Sequence, residues 1–357
     1  MSTSVSSTRF SHSFPYDYTP ISPFLFQVKI RPAIYYLTLP IWLLLSPINF
    51  ILKTVCLIAN FVNFLIISKI FTFSPSIQRY YLQFICYVSL FIQGNIPIKT
   101  TKQKRVCEIL VANHTNLNDV NIGIISCQAG FLSKAEMKKV PIISYAARIL
   151  NSVYVDRKTG QNDLSNRVAK NPIIVFPEGT ISNQKVLMRF KTGAFRLKDE
   201  VQPLCIYYQS FFQIEWLTEH ALHHIYTLFT SPFSRTKYYF LEPMKRFENE
   251  TYQEFADRVG KKMADEMGIV YLPYSIDDYL YFQGIKTIDK CSNEYLKDYG
   301  WMGDHAHYRK ICQQQGLNSL YEHRREQFIQ SQYAWSEEHA LDVIDQRLGN
   351  FAKFSKQ

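Results

Sequence analysis

The sequence predicts an α/β domain, a mixed sheet flanked by helices, preceded by an N-terminal apolar helical membrane anchor. Three observations carry this expectation. Short β-rich runs alternate with helical stretches from residue 106 onward, which is the pattern of an α/β fold. No charge interrupts residues 33–52, and after Lys53 none interrupts 54–68. The basic charge is also uneven: residues 1–249 hold 27 of the 40 Lys and Arg against 13 acidic residues, a net +14, whereas residues 250–357 carry a net −4. A basic surface suits an anionic membrane, a polyphosphate ligand or a nucleic acid, so charge alone does not name the partner.

Composition narrows the class. Apolar residues make up 47% of the 357, with 24 Tyr and 26 Phe, which excludes a disordered chain. Seven cysteines are an odd number, and no two are spaced as a CxxC pair. A disulfide framework or zinc ribbon therefore has no support, and a reducing, cytosol-facing location fits.

Taken in order, residues 1–29 read as a disordered tail, rich in Ser, Thr, Tyr and Pro and without the apolar core of a signal peptide. Residues 30–98 read as a membrane-embedded helical segment. Pro40 and Pro47 interrupt the first apolar run and the second is short of a comfortable span, which predicts a hairpin that dips into one leaflet and returns. A very apolar pair of soluble core helices is the alternative. The stretch 80–92 reads as interfacial. Basic residues on both sides, among them Lys29, Arg31, Lys99 and Arg105, favour cytosolic ends.

Residues 99–282 read as the α/β domain, with strands expected at 106–112, 152–156, 172–176, 201–208 and 237–241. The best helix is 252–267. Thr251 and Glu254 form a capping box, Phe255, Val259 and Met263 line one face, and Gly268 stops it. Residues 283–357 read as a helical extension of unknown role.

Nucleotide-binding glycine loops, the GxSxG elbow and the HExxH helix are all absent, and the histidines at 220, 223 and 224 lack a matched ligand set, so no metal site is expected. The informative run is Asn113-His114-Thr115-Asn116-Leu117-Asn118-Asp119, directly after the apolar strand at 109–112. On a continuous helix, residues five apart point about 140° away from each other. His114 and Asp119 meet only if His114 lies in the strand-to-helix loop and Asp119 in the first helical turn. Asp119 then accepts the Nδ1 hydrogen, and Nε2 takes a proton from a substrate hydroxyl.

A second strand end, 173–176, runs into Pro177-Glu178-Gly179-Thr180. Gly179 lets a ligand approach the backbone, and Glu178 could orient a hydroxyl or an arginine. Arg157 follows a third strand and suits bidentate phosphate capture, or else pairs with Asp156 at the surface. Lys191 and Gly193 add a cation and a second permissive backbone. Lys134, Lys138 and Lys139 could attract phosphates, or form a solvated helix face.

Together, HTNLND at 114–119, VYVDR at 153–157, FPEGT at 176–180 and VQPL at 201–204 resemble, in order and spacing, the four blocks of the glycerolipid acyltransferase family that includes bacterial PlsC-type enzymes. Ser182-Asn183, FKTGAF at 190–195 and VQPLCIYY at 201–208 are similar to the lysophosphatidylcholine and lysophosphatidylethanolamine acyltransferases within it. The likeness spans about 106–282. It departs from the family pattern at Asn151, where a glycine is usual and Asn tolerates the turn, and at Ile181, where a basic or polar residue is common. Calcium-binding loops found in some relatives have no counterpart after Gln283.

The resemblance implies a membrane-bound acyltransferase that moves an acyl group from acyl-CoA to the free hydroxyl of a lysophospholipid, with lysophosphatidate or glycerol 3-phosphate as alternative acceptors. It implies His114 as the base, Asp119 as its orienting carboxylate, and Arg157, Glu178, Gly179 and Thr180 on the acceptor phosphate. Asn113, Lys191, Gly193 and Pro203 would be further substrate contacts, with Pro203 on the acyl-side wall. No metal or bound cofactor is implied; acyl-CoA, lysophospholipid and membrane lipid are the partners, nucleic acid is not, and no protein partner is indicated. The expected location is the endoplasmic reticulum membrane, with the catalytic domain facing the cytosol. A silent lipid-binding protein would use the same anchor but would have no reason to keep His114, Asp119, Arg157 and FPEGT together.

Overall fold

A computed structural model describes residues 33–282 apart from 71–73, 101–102, 135–137, 156–171, 183, 185, 213 and 215–220, and beyond them only Ser292 and Tyr295. Arg157, Asn183, the 1–29 tail and nearly all of the 283–357 extension therefore lie outside the described residues. The chain divides into two compact units, residues 26–268 and residues 1–25 with 269–357.

The first unit opens with helix α1 (Ala33–Ile70), 38 residues and about 57 Å long. The expected hairpin is not formed; a single helix runs through both prolines. Proline leaves the carbonyl four residues earlier without its helical donor. For Pro47 that carbonyl belongs to Leu43, and the Ser46 hydroxyl donates to it at 2.8 Å. The stretch Tyr35–Ile67 is long and apolar enough to cross a membrane, with mean hydropathy 2.2. One face, including Leu37, Ile41, Leu44, Ile48, Ile51 and Val55, is exposed. The other face packs on the rest of the unit along most of its length: Tyr35 meets Phe211 at 4.7 Å between ring centroids near one end, and Phe64 meets Tyr145 at 5.6 Å near the other.

Helix α2 (Pro75–Ile92) starts at Ser74, whose hydroxyl accepts from Ile77 N–H, with Pro75 at the first position. It buries Leu82, Ile85, Cys86 and Leu90, so the stretch expected to be interfacial also serves as a wall of the core. Strand β1 (Asn95–Lys99) follows, then β2 (Ile109–Ala112), α3 (Asp119–Cys127), β3 (Gly130–Lys134), α4 (Pro141–Ile149), β4 (Val153–Val155) and β5 (Ile173–Val175). The sheet is completed by β6 (Glu200–Ser210), β7 (Ser234–Phe240) after helix α5 (Ala221–Thr230), and β8 (Met244–Lys245).

Spatial order is β1-β7-β6-β2-β5-β3-β4, with β8 on β6. The strands β6, β2, β5, β3 and β4 are mutually parallel. Strand β7 runs antiparallel to β6 and parallel to β1. This is the mixed sheet that the alternating pattern predicts. Strand β2 is central, and all four of its residues are fully buried, as expected where both faces are covered. Helices α2 and α3 pack together, α1 packs on α2 and α5, and α6 (Tyr252–Met267) packs against β6.

Helix α6 matches the sequence expectation residue for residue: the Thr251–Glu254 capping box is formed, and Gly268 ends the helix with φ +66°. Asn151, where the resemblance calls for a glycine, takes φ +54° in the turn before β4, a conformation that Asn tolerates. In the second unit, α7 (Ile276–Phe282) is held at its start by Asp278, which accepts the N–H groups of Ser275 and Ser292, each at 2.6 Å.

Candidate active site

Loops at the carboxyl ends of β2 and β5 meet where ligands bind in open parallel sheets. Asn113 ends β2. Its side-chain oxygen accepts Ile206 N–H at 2.8 Å and its amide nitrogen donates to Ile206 O at 2.8 Å, so the side chain imitates one more rung of the β2–β6 pairing. Next, the His114 N–H donates to Glu178 Oε1 at 3.0 Å, and the His114 carbonyl accepts Ser182 N–H at 2.7 Å. The backbone of His114 is thereby clamped to the FPEGT turn.

The ring is fixed as firmly. His114 Nδ1 lies 2.8 Å from Asp119 Oδ2, and its face stacks on Phe176 with 4.1 Å between centroids and 18° between planes. The loop-plus-first-turn arrangement required by the spacing is the one formed, since Asp119 opens α3. A carboxylate only accepts, so Nδ1 carries the hydrogen and Nε2 the lone pair. The His114 side chain is 17% exposed, whereas Asp119 is fully buried.

A buried carboxylate is tolerable only when its oxygens are satisfied. Asp119 Oδ2 also accepts Thr115 N–H at 2.7 Å and Asn116 N–H at 2.9 Å, and Oδ1 accepts the Tyr208 hydroxyl at 2.7 Å. Burial, and then the Asp119 charge beside it, holds the Tyr208 phenol protonated well above its usual range, so it is a donor at any working pH. Tyr208 was within the VQPLCIYY run, but its role depends on β6 lying beside β2, which spacing cannot give. Phe176 likewise stands in the sequence only as the first residue of FPEGT, and its stacking on His114 depends on β5 lying beside β2.

Several residues expected at the acceptor phosphate or as substrate contacts do other work. Glu178 is fully buried: besides His114 N–H it accepts the Ser182 hydroxyl at 2.8 Å and Met188 N–H at 3.1 Å. Its carboxylate faces the protein interior and braces the loop. Burial pushes its pKa up to about 7 against the pull of those three donors. Asn113 is 1% exposed with both ends of its amide bonded, which closes it to substrate. Pro203 is buried within β6 opposite Val111, inside the sheet and short of its mouth. Gly193 has no positive φ, and a Cβ there would meet nothing within 4 Å, so the backbone has no special need of glycine.

Gly179 does have that need. Its φ is +77°, and a Cβ would stand 3.4 Å from Cε of Lys191, whose stem lies over the turn. Lys191 N–H donates to Pro177 O at 2.8 Å, which holds the lysine against FPEGT. Thr180 is half-buried in the same turn. The structure thus gathers His114, Asp119, Gly179, Thr180 and Lys191 at one sheet end, while Arg157 lies outside the described residues. Lys138 and Lys139 are exposed before α4, with Lys138 Nζ 5.0 Å from the centre of the Tyr154 ring. No cluster of three or more His, Cys, Asp or Glu suited to a metal ion occurs among the described residues.

Comparison with known proteins agrees with the sequence resemblance. Residues 97–207 match the family model described as Acyltransferase. Glycerol-3-phosphate acyltransferase 3 of Mus musculus is 28% identical over 180 residues, which are 46% of this chain and 41% of that protein. Lysophospholipid acyltransferase LPEAT1 of Arabidopsis thaliana is 26% identical over 187 residues, 47% of each chain. The chain therefore spans less than half the length of these curated relatives. A solved structure, the 1-acyl-sn-glycerophosphate acyltransferase PlsC of Thermotoga maritima, superposes with a TM-score of 0.47 at 20% identity, covering 63% of this chain and 95% of that one. Residues 97–207 are thus similar to an acyltransferase domain, and the relatives matched over that region are named as glycerolipid acyltransferases.

Proposed function

We propose that this protein transfers an acyl group from acyl-CoA to the free hydroxyl of a lysophospholipid, at an endoplasmic reticulum membrane with the domain facing the cytosol. The single observation that carries the reading is the His114–Asp119 pair, 2.8 Å apart, with the imidazole pinned on one face by Phe176 and its Nε2 unbonded among the described residues. That arrangement is a general base ready for a hydroxyl.

Nε2 of His114 takes the proton as the acceptor oxygen attacks the thioester carbonyl. The tetrahedral intermediate collapses by breaking the carbon–sulfur bond, and the imidazolium returns its proton to the departing CoA thiolate. Asp119 fixes the tautomer and stabilises the imidazolium, its own charge steadied by Tyr208 and two backbone amides. Lys191 and the amides of the Gly179 turn, with Arg157, are assigned to the acceptor phosphate. Glu178 acts one step back, by bracing His114 and the turn. The cycle needs no metal and no covalent acyl-enzyme. Helix α1, with one apolar face exposed, supplies the membrane contact.

A phosphate monoester carries close to two negative charges near neutral pH and a diester one. Ile181 adds no cation beside FPEGT, which favours a diester acceptor such as lysophosphatidylcholine or lysophosphatidylethanolamine, in keeping with the name of the plant relative. The mouse relative is named for glycerol 3-phosphate, which supports that acceptor as the second reading. Purified protein in detergent, given acyl-CoA and each of lysophosphatidylcholine, lysophosphatidylethanolamine, lysophosphatidate and glycerol 3-phosphate, is assayed by thiol release. The expected result is the highest kcat/KM on a diester. A tenfold preference for a monoester, about 1.4 kcal/mol of transition-state binding, would move the assignment to the second reading. Absence of thiol release with every acceptor would remove the acyltransferase reading.

A further inference from the structure

Lys53 is the one charge between the two uncharged runs of α1, and it is only 7% exposed. Its ammonium donates to Gln93 O at 2.8 Å and to Ser231 O at 2.7 Å. Gln93 caps the C-terminus of α2 and Ser231 follows the C-terminus of α5, so both carbonyls lie where helices leave acceptors unsatisfied and partial negative charge collects.

The path does not end there. The Gln93 side chain donates through Nε2 to Ser89 O at 3.1 Å and accepts through Oε1 from Asn118 Nδ2 at 2.8 Å. Asn118 immediately precedes Asp119. Its N–H donates to Asn116 Oδ1 at 2.9 Å, and Asn116 N–H donates to Asp119 Oδ2 at 2.9 Å. Gln93 is 6% exposed, Asn118 3%, and Asn116 and Asp119 not at all, so the whole chain of bonds is shielded from water. Bonds in such a setting are stronger than in water, and one missing member leaves its neighbours unsatisfied.

We propose that Lys53, Gln93 and Asn118 are positioning residues for the acyl transfer, so that helix α1, seated through Lys53, holds the 114–119 loop in register with Asp119 behind His114. The inference rests on the acyl-transfer reading above. A helix that served only as an apolar anchor would gain nothing from a lysine at its centre, where a charge is costly. Nor would an anchor need Gln93 to face Asn118. Asn49 offers the contrast: it ties α1 to α5 through Thr230 O at 3.0 Å, and among the described residues the Thr230 hydroxyl bonds only within α5, to Tyr226 O and Thr227 O.

The test uses the full chain in detergent with a short-chain acyl-CoA and a short-chain, monomeric lysophospholipid, so that membrane partition does not enter the rate. Lys53→Met keeps the length of the side chain and removes the ammonium. Gln93→Met leaves the Lys53–carbonyl bonds in place and cuts the side-chain link to Asn118, together with the local bond to Ser89 O inside α2, so it decides the matter if Lys53→Met does not fold. Each is expected to lower kcat about tenfold with KM within twofold, and the double variant should fall no further than the worse single one, because both interrupt one path. Asn49→Leu should stay within twofold of wild type. The downfield Nδ1 proton signal of His114, identified by its loss in His114→Ala, should move or broaden in Gln93→Met.

Unchanged kcat in Gln93→Met, with wild type active, overturns the inference, as does a double variant whose losses multiply. If wild-type protein turns over none of the acceptors, the acyl-transfer reading fails separately. The positioning of the His114–Asp119 pair is then judged on the proton signal alone, and an unmoved signal overturns it.

Discussion

Replacing Tyr208 with Phe removes one oxygen atom from the core and leaves the ring in place. That oxygen is the only donor to Asp119 Oδ1 among the described residues, while Oδ2 has three. A hydrogen bond to a charged group contributes about 1.5–3 kcal/mol, and a fully buried carboxylate oxygen left without a donor loses that amount. For a unit of this size roughly 2 kcal/mol corresponds to a fall in Tm of about 4–8 °C, readable by differential scanning fluorimetry. A kinetic effect should accompany it. A carboxylate held at one oxygen can swing, so kcat/KM, measured by thiol release, should fall about tenfold, or 1.4 kcal/mol. If Tyr208→Phe lowered Tm but left kcat/KM where it was, Tyr208 would be a packing residue and the steadying role assigned to it would be wrong.

Asp119→Asn should be the cleaner electrostatic test. The amide oxygen can take the three N–H donors of Oδ2 while its NH2 faces the Tyr208 oxygen, so the fold should stand and kcat should drop at least ~100-fold, the scale of lost general-base assistance. His114→Ala should abolish thiol release with unchanged circular dichroism; near wild-type turnover would sink the catalytic assignment. Glu178 gives a pH signature. Its folded value of about 7 lies above the ordinary 4.5, so its contribution to stability is full below about 4.5 and is lost as pH rises through about 7, on the order of 3 kcal/mol. Urea midpoints should therefore fall between pH 4.5 and 7.5 in wild type, and much of that slope should vanish in Glu178→Gln. The same variant should lose activity, because an amide NH2 meets an N–H donor at His114 or Met188.

What was legible in the sequence was what is decided locally. Helix α6 was readable to the residue because its cap, apolar face and glycine stop all lie within the segment itself. The His114–Asp119 contact was readable because five residues of separation admit one loop geometry. Strands β1 and β3 were missed. NIPIK carries a proline and GFLSK begins with a glycine, and both residues are poor strand formers whose places are set by neighbours distant in the chain. The hairpin expectation failed for a related reason: a hydroxyl one residue before Pro47 satisfies the carbonyl that the proline strands, and remote helix ends satisfy Lys53.

Direction is the property that residue type and spacing do not carry. FPEGT marks a strand end, but whether Glu178 points out to a phosphate or in to a backbone amide depends on where the 114–119 loop crosses β5. The parallel register that sets Leu110 against Ile174 and against Gln202 decides that crossing. The same register brings Ile206 to Asn113, and two residues along the same face of β6 it brings Tyr208, 89 residues away in sequence, under Asp119. A slip of one residue in the β2–β6 pairing would turn Tyr208 to the other face and leave Asp119 Oδ1 bare. The two side-chain bonds of Asn113 to the Ile206 backbone resist that slip. On this view Asn113 serves the chemistry without touching a substrate, by setting the strand that carries the donor to the carboxylate that orients the base.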